Sequence, residues 1–160
     1  MAWRAVRKYV LLLSATIAIV FSYFVLTSVG AIPENNIKLL IYDHWYASIK
    51  HPEQSRQLNH FREFGNFGNS NHCDFAAGDF RTTTLSKKEL EDFYKTQSMK
   101  SFRDSPPEIE VWTIKDLEDV GYPQSDWLRN SGLSASTTKN IYLVVAVDQM
   151  YYPGWDYRCH

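Results

Sequence analysis

The residues in this chain best suited to chemistry are two Cys-His pairs. Cys73 follows His72, and Cys159 precedes His160. The chain has only these two cysteines. In an oxidising compartment an even count reads as a disulfide. A Cys73–Cys159 bridge would tie the end of the chain to the start of its folded part across a separation of 86 residues. The same four side chains also make up a tetrahedral zinc set, and a cysteine nucleophile beside a histidine base is a further alternative. Adjacent residues of a strand point to opposite faces, which works against both. The bridge is the preferred reading.

Carboxylates give a second set. Asp74 shares a face with His72, and Asp148 interrupts an apolar run near its end. With His72 they could serve a small hydrolase or a binder of cell-wall glycan. The plainer reading of Asp148, as of Asp79, is a point where a strand emerges into solvent. Aromatic residues make up 15% of the chain. They could fill the core of a thin domain or form a recognition surface. Tyr151, Tyr152 and Trp155 surround a Pro153-Gly154 turn and are the candidate partner-binding residues. The chain has no G-x-G-x-x-G, P-loop, H-E-x-x-H, G-x-S-x-G or C-x-x-C motif. No catalytic residues, cofactor or metal are assigned, and the reading leans away from an enzyme.

The elements that would position these residues begin with a membrane segment. Tyr9 to Ile32 (YVLLLSATIAIVFSYFVLTSVGAI) carries no charge. A helix of that length spans about 36 Å, more than the ~30 Å hydrocarbon core. Its Ser and Thr hydroxyls can bond back to helix carbonyls. Arg4, Arg7 and Lys8 precede it, and the first basic residue beyond it is Lys38. The positive-inside rule then places residues 1–8 in the cytoplasm and residues 34–160 outside. A cleaved signal peptide ending near Val29 and Ala31 is the alternative, but the apolar run exceeds the usual 7–15 residues of a signal core. The partners implied are the bilayer, through residues 9–32, and another envelope protein. No N-x-S/T site is present, and the short basic start suits a bacterial inner-membrane protein with a periplasmic domain.

Charge excludes one partner class. Of the 17 basic residues, 14 follow the apolar run, against all 18 acidic ones. A mildly acidic domain does not neutralise phosphates, so nucleic acid is not expected.

Residues 33–71 read as a juxtamembrane segment, either a stalk or a part packed on the domain. Ile37, Leu40, Ile41, Trp45 and Ile49 form a helical stripe over 35–50, ended by His51-Pro52. Leu58, Phe61 and Phe64 suggest a second helix over 53–64. Gly65 to His72 is a loop.

Residues 72–160 read as the folded domain. His72 to Thr84 is a strand with Cys73, Phe75 and Ala77 on one face. A bulge at Gly78 would bring Phe80 into the same phase. Ser86-Lys87-Lys88-Glu89 is a capping box, with Leu85 and Leu90 as its hydrophobic staple, opening a helix over 87–98. Glu108 to Ile114 alternates as a strand behind Pro106-Pro107. Two short helical pieces follow over 115–132, closed by Gly121 and Gly132. Asn140 to Met150 is apolar on both faces and reads as a central, doubly covered strand. Trp155 to His160 alternates as a last strand, hairpinned onto the central one. The fold class is α+β: a membrane helix, then a three- or four-stranded, largely antiparallel sheet against one main helix.

Overall fold

A computed structural model describes residues 2–28, 33–67, 72–120, 123–133, 140–150 and 156–159. The first element is helix α1, Ala2–Ser28. Its window Val6–Leu26 is long and apolar enough to cross a membrane, and none of it is buried within the chain. Ser14 Oγ donates to the Val10 carbonyl at 2.9 Å and Thr16 Oγ1 to that of Leu12 at 3.0 Å. These back-bonds satisfy hydroxyls that would otherwise be costly in hydrocarbon.

The rest folds around a four-stranded antiparallel sheet: β1 Arg56–Gly65, β2 Cys73–Thr82, β3 Ile109–Thr113 and β4 Ile141–Met150, in the order β1-β2-β4-β3. β4 is central and pairs on both sides, as its doubly apolar sequence requires. Helices cover both faces. Against one lie α2, Pro33–Tyr46, and α3, Lys87–Tyr94. Their Tyr42, Tyr46, Leu90 and Tyr94 meet Phe64, Phe75, Ala77, Val111, Val144 and Ala146. Against the other lie α4, Ile114–Asp119, and α5, Gln124–Ser131. There Ile114, Leu117, Trp127 and Leu128 meet Ala76, Phe80, Leu143 and Val145.

Several sequence expectations are corrected. Residues 56–65 form a strand, not a helix, so the chain before Cys73 belongs to the sheet. Phe61 packs in one core and Phe64 in the other. β2 runs without a bulge at Gly78; Phe80 serves the opposite face, and the register shift lies on β1 between Gln57 and Asn59. In α2 the core-facing side is Leu39, Tyr42 and Tyr46, while Ile37, Leu40 and Ile41 are exposed. At the C-terminus Tyr157–Cys159 is a 3₁₀ turn rather than part of a strand.

The capping box is present as read. Glu89 N donates to Ser86 Oγ at 3.3 Å, and Ser86 N donates to Glu89 Oε2 at 2.8 Å. Helix α3 is shorter than expected, ending at Tyr94. Gly132 caps α5 with a left-handed φ of 70°, a conformation that suits glycine.

Candidate functional site

The bridge between Cys73 and Cys159 forms, with 4.9 Å between Cα atoms. Both sulfurs are therefore committed, and neither is a thiolate for metal or nucleophilic chemistry. Among the described residues no group of His, Cys, Asp and Glu side chains is placed to hold a metal ion. Tyr151, Tyr152, Trp155 and His160 lie outside the described residues.

His72 adjoins Asp74, with Nε2 3.5 Å from Oδ1, and Asp74 and Asp148 border one cavity from neighbouring strands. Phe75 pairs with Asp148 across β2 and β4, and Asp74 pairs with Gln149, so the two carboxylates stand on opposite faces of the sheet. Asp148 is buried and accepts Ser101 Oγ at 2.7 Å and Phe102 N at 2.9 Å. It closes the turn after α3 instead of emerging into solvent. Asp74 is also buried. Its Oδ2 accepts Phe67 N at 3.3 Å, and its Oδ1 has no hydrogen bond among the described residues, with His72 Nε2 at 3.5 Å. Burial raises its pKa, and the neighbouring His72 offsets only part of that rise. Asp74 borders a cavity of about 310 Å³ that also meets Trp127, Val147 and Pro123.

A polar network that the sequence reading missed centres on Asp79. It accepts Arg81 Nη1 at 2.8 Å and Gln57 Nε2 at 3.1 Å. His60 lies between two carboxylates, Nδ1 at 2.8 Å from Asp79 and Nε2 at 2.7 Å from Asp43. Arg62 reaches the other oxygen of Asp43 at 2.7 Å. His51 stacks nearby, with Nδ1 2.9 Å from Tyr94 Oη; burial is the main cause that lowers its pKa, with the Arg81 charge second. Both ring nitrogens of His60 thus face carboxylate oxygens on neighbouring elements. The network joins α2, β1, β2 and the end of α3. It is a structural linkage, and only a correct strand assignment for 56–65 would have placed His60 and Arg62 toward it.

A further concave surface lies between α3 and β3. It encloses about 660 Å³ and is lined by Lys87, Glu91 and Lys95 on the helix and by Ile109, Val111 and Trp112 on the strand. Each wall is fixed locally. The α3 wall is held by its cap and by Lys87 Nζ, which donates to Asp116 Oδ2 at 2.8 Å. Asp116 is itself the capping-box carboxylate of α4, accepting Thr113 N at 2.9 Å. Burial would raise its pKa, but the hydrogen bonds from Lys87 and Thr113 prevail and lower it. One carboxylate thus joins the start of α3 to the end of β3. The floor is Tyr94, whose hydroxyl is 3.4 Å from that of Tyr142.

β3 is an edge strand, and among the described residues no strand pairs with its outer side. An edge of this kind carries unpaired backbone donors and acceptors. The sequence contained one sign of it: Pro106-Pro107 lies one residue ahead of the strand, and proline is confined to edges and strand starts. The helix wall across the groove is a tertiary feature that no local pattern announces. Against this geometry, comparisons with protein-family models, with curated proteins and with solved structures return no match for the chain.

Proposed function

We propose that the protein is a membrane-anchored, non-enzymatic interaction module whose α3–β3 groove receives an extended segment of another envelope protein. The observation that carries this reading is an open sheet edge alongside a helix, with about 660 Å³ between them. A strand added to β3 would satisfy the outward backbone groups. Its alternate side chains would point into the groove, so main-chain bonds give affinity and side-chain contacts give selectivity. The groove carries Lys87 and Lys95 on one wall and Glu108 and Glu110 near the other. A segment with charges of both signs in alternation suits it better than a purely apolar one.

In this reading residues 9–32 are the anchor, residues 1–8 are cytoplasmic and residues 33–160 face the periplasm at the inner membrane. The basic residues before the apolar run support that orientation, and so does a disulfide, which persists in oxidising compartments.

The test is amide hydrogen exchange on the full chain in detergent, with and without extended peptides selected for binding from a random library. The expected result is slowed exchange in β3, with β1 amides unchanged. Selected peptides that bind while β3 exchanges as in the free protein would overturn the reading.

A further inference from the structure

Helix α2 exposes the wrong side for a purely soluble domain. Ile37 is 56% exposed, Leu40 51% and Ile41 39%. Their i, i+3, i+4 spacing places them in one stripe. The opposite side is committed to the protein core through Tyr42 and Tyr46, which are almost fully buried. The outward side is apolar at Ile37, Leu40 and Ile41, with exposed His44 one turn further along it, and only the inward side has a protein partner among the described residues.

The position of this stripe along the chain identifies what it meets. α1 ends at Ser28 and α2 begins at Pro33. Five Cα steps reach at most about 18 Å in any conformation. If α1 spans a bilayer, α2 starts no more than about 18 Å beyond the end of α1, close enough for its outward side to reach the headgroup region. The charges flanking the stripe are also neutralised. Lys38 Nζ lies 2.7 Å from Glu34, and Asp43 is held by Arg62 and His60. A headgroup layer approaching Ile37, Leu40 and Ile41 meets paired charges and apolar side chains, not a net anionic face.

We infer that Ile37, Leu40 and Ile41 insert into the interfacial layer of the same bilayer that α1 spans, laying α2 flat on the membrane. Helices that lie in this layer bury one apolar face at the headgroup–acyl boundary. The inference rests on the anchored reading of α1. It adds a fixed posture for the domain. α2 packs on β2 and β1, so that side of the sheet is held down, and β3, at the far edge beyond β4, is left away from the α2 contact and open to a partner.

The test places nitroxide labels, one at a time, at Ile37→Cys, Leu40→Cys and Ile41→Cys in the full chain reconstituted in lipid vesicles. The native cysteines are bridged and take no label. Ile19→Cys serves as the control inside α1, and Lys88→Cys, on exposed α3, as the control in water. Accessibility to oxygen and to a water-soluble nickel chelate is measured at each site. The expected result is a shift toward oxygen at all three α2 positions, between the values at Ile19 and Lys88. Lipid-like behaviour at Ile19 with water-like behaviour at the α2 positions would overturn the inference while leaving the anchor intact. Water-like behaviour at Ile19 would overturn both. Spin–spin broadening at the α2 positions, removed by dilution with unlabelled protein, would assign the stripe to a second copy of the chain and overturn the lipid contact.

Discussion

Asp74 and Asp156 are both buried acidic residues, and their surroundings shift them in opposite directions. Burial would raise Asp156, but Arg158 and Asn35 prevail and hold it below the ordinary carboxylate range. Arg158 donates Nε at 2.9 Å to one oxygen and Nη2 at 2.7 Å to the other, and Asn35 Nδ2 adds a bond at 2.8 Å. Asp74 has one long backbone bond and a raised pKa. Linkage then gives opposite signs. A lowered folded pKa supplies stability at neutral pH that disappears as pH falls through that pKa. A raised one means that ionisation costs the fold stability, from the ordinary carboxylate range upward. Asp156→Asn is expected to lose about 2 kcal/mol at pH 7 and to flatten the acid-side decline. Asp74→Asn is expected to gain about 1 kcal/mol at pH 7, because a buried carboxyl whose charged form burial disfavours is removed. Urea melts of both variants from pH 3 to 8 check the pair. An Asp74→Asn variant that is destabilised at every pH would show that the carboxylate has a partner it needs.

At the scale of elements, the sheet's two covered faces explain both what could be read from the sequence and what could not. A sheet with one wet face imposes a clean alternation, and a sheet covered on both sides does not. β4 was legible because a run apolar at every position fits a covered strand. α3 was legible because cap, staple and stripe agreed. The stretch 53–64 misled because Leu58, Phe61 and Phe64 sit three apart, which imitates a helix. In the strand Phe61 and Phe64 have opposite parity, and each fills a different core. The same cause misplaced the bulge, since Phe80 needs no help to be buried on its own side. Gly78 has another purpose. A Cβ there would stand 2.7 Å from the Phe61 ring and 2.9 Å from the Val144 carbonyl oxygen. Gly78→Ala is therefore expected to destabilise the fold by about 2 kcal/mol through overpacking. A double-mutant cycle with Phe61→Leu should show coupling between the sites. A Gly78→Ala variant that unfolds at the wild-type urea concentration would refute that close contact.

For the whole molecule, the question is how a chain whose first helix is long and apolar enough to cross a membrane holds its last described residues. The last described residues return to the start of the fold. Cys159 bonds Cys73, Arg158 Nη1 donates to Asn36 Oδ1 at 2.9 Å, and the Arg158 guanidinium lies 4.5 Å from the Phe64 ring centroid. Only the disulfide was legible in advance, because cysteine pairing needs just a count and a compartment, whereas Asn36 and Arg158 are ordinary polar residues until the fold brings them together. The bridge closes a separation of 86 residues, and loop-closure entropy assigns such a crosslink about 4–5 kcal/mol. That is a large part of the 5–15 kcal/mol typical of a folded domain. Reduction is therefore expected to lower the urea midpoint sharply, and Cys73→Ser with Cys159→Ser should reproduce the loss without reductant. The bridge also reports topology, because a domain in the cytoplasm would keep both thiols reduced. Intact mass and thiol labelling of the denatured, non-reduced protein from native membranes should give no free thiol and a chain two hydrogens light. Two free thiols would remove the bridge and place the groove on the cytoplasmic side, where a different set of partners would have to supply the added strand.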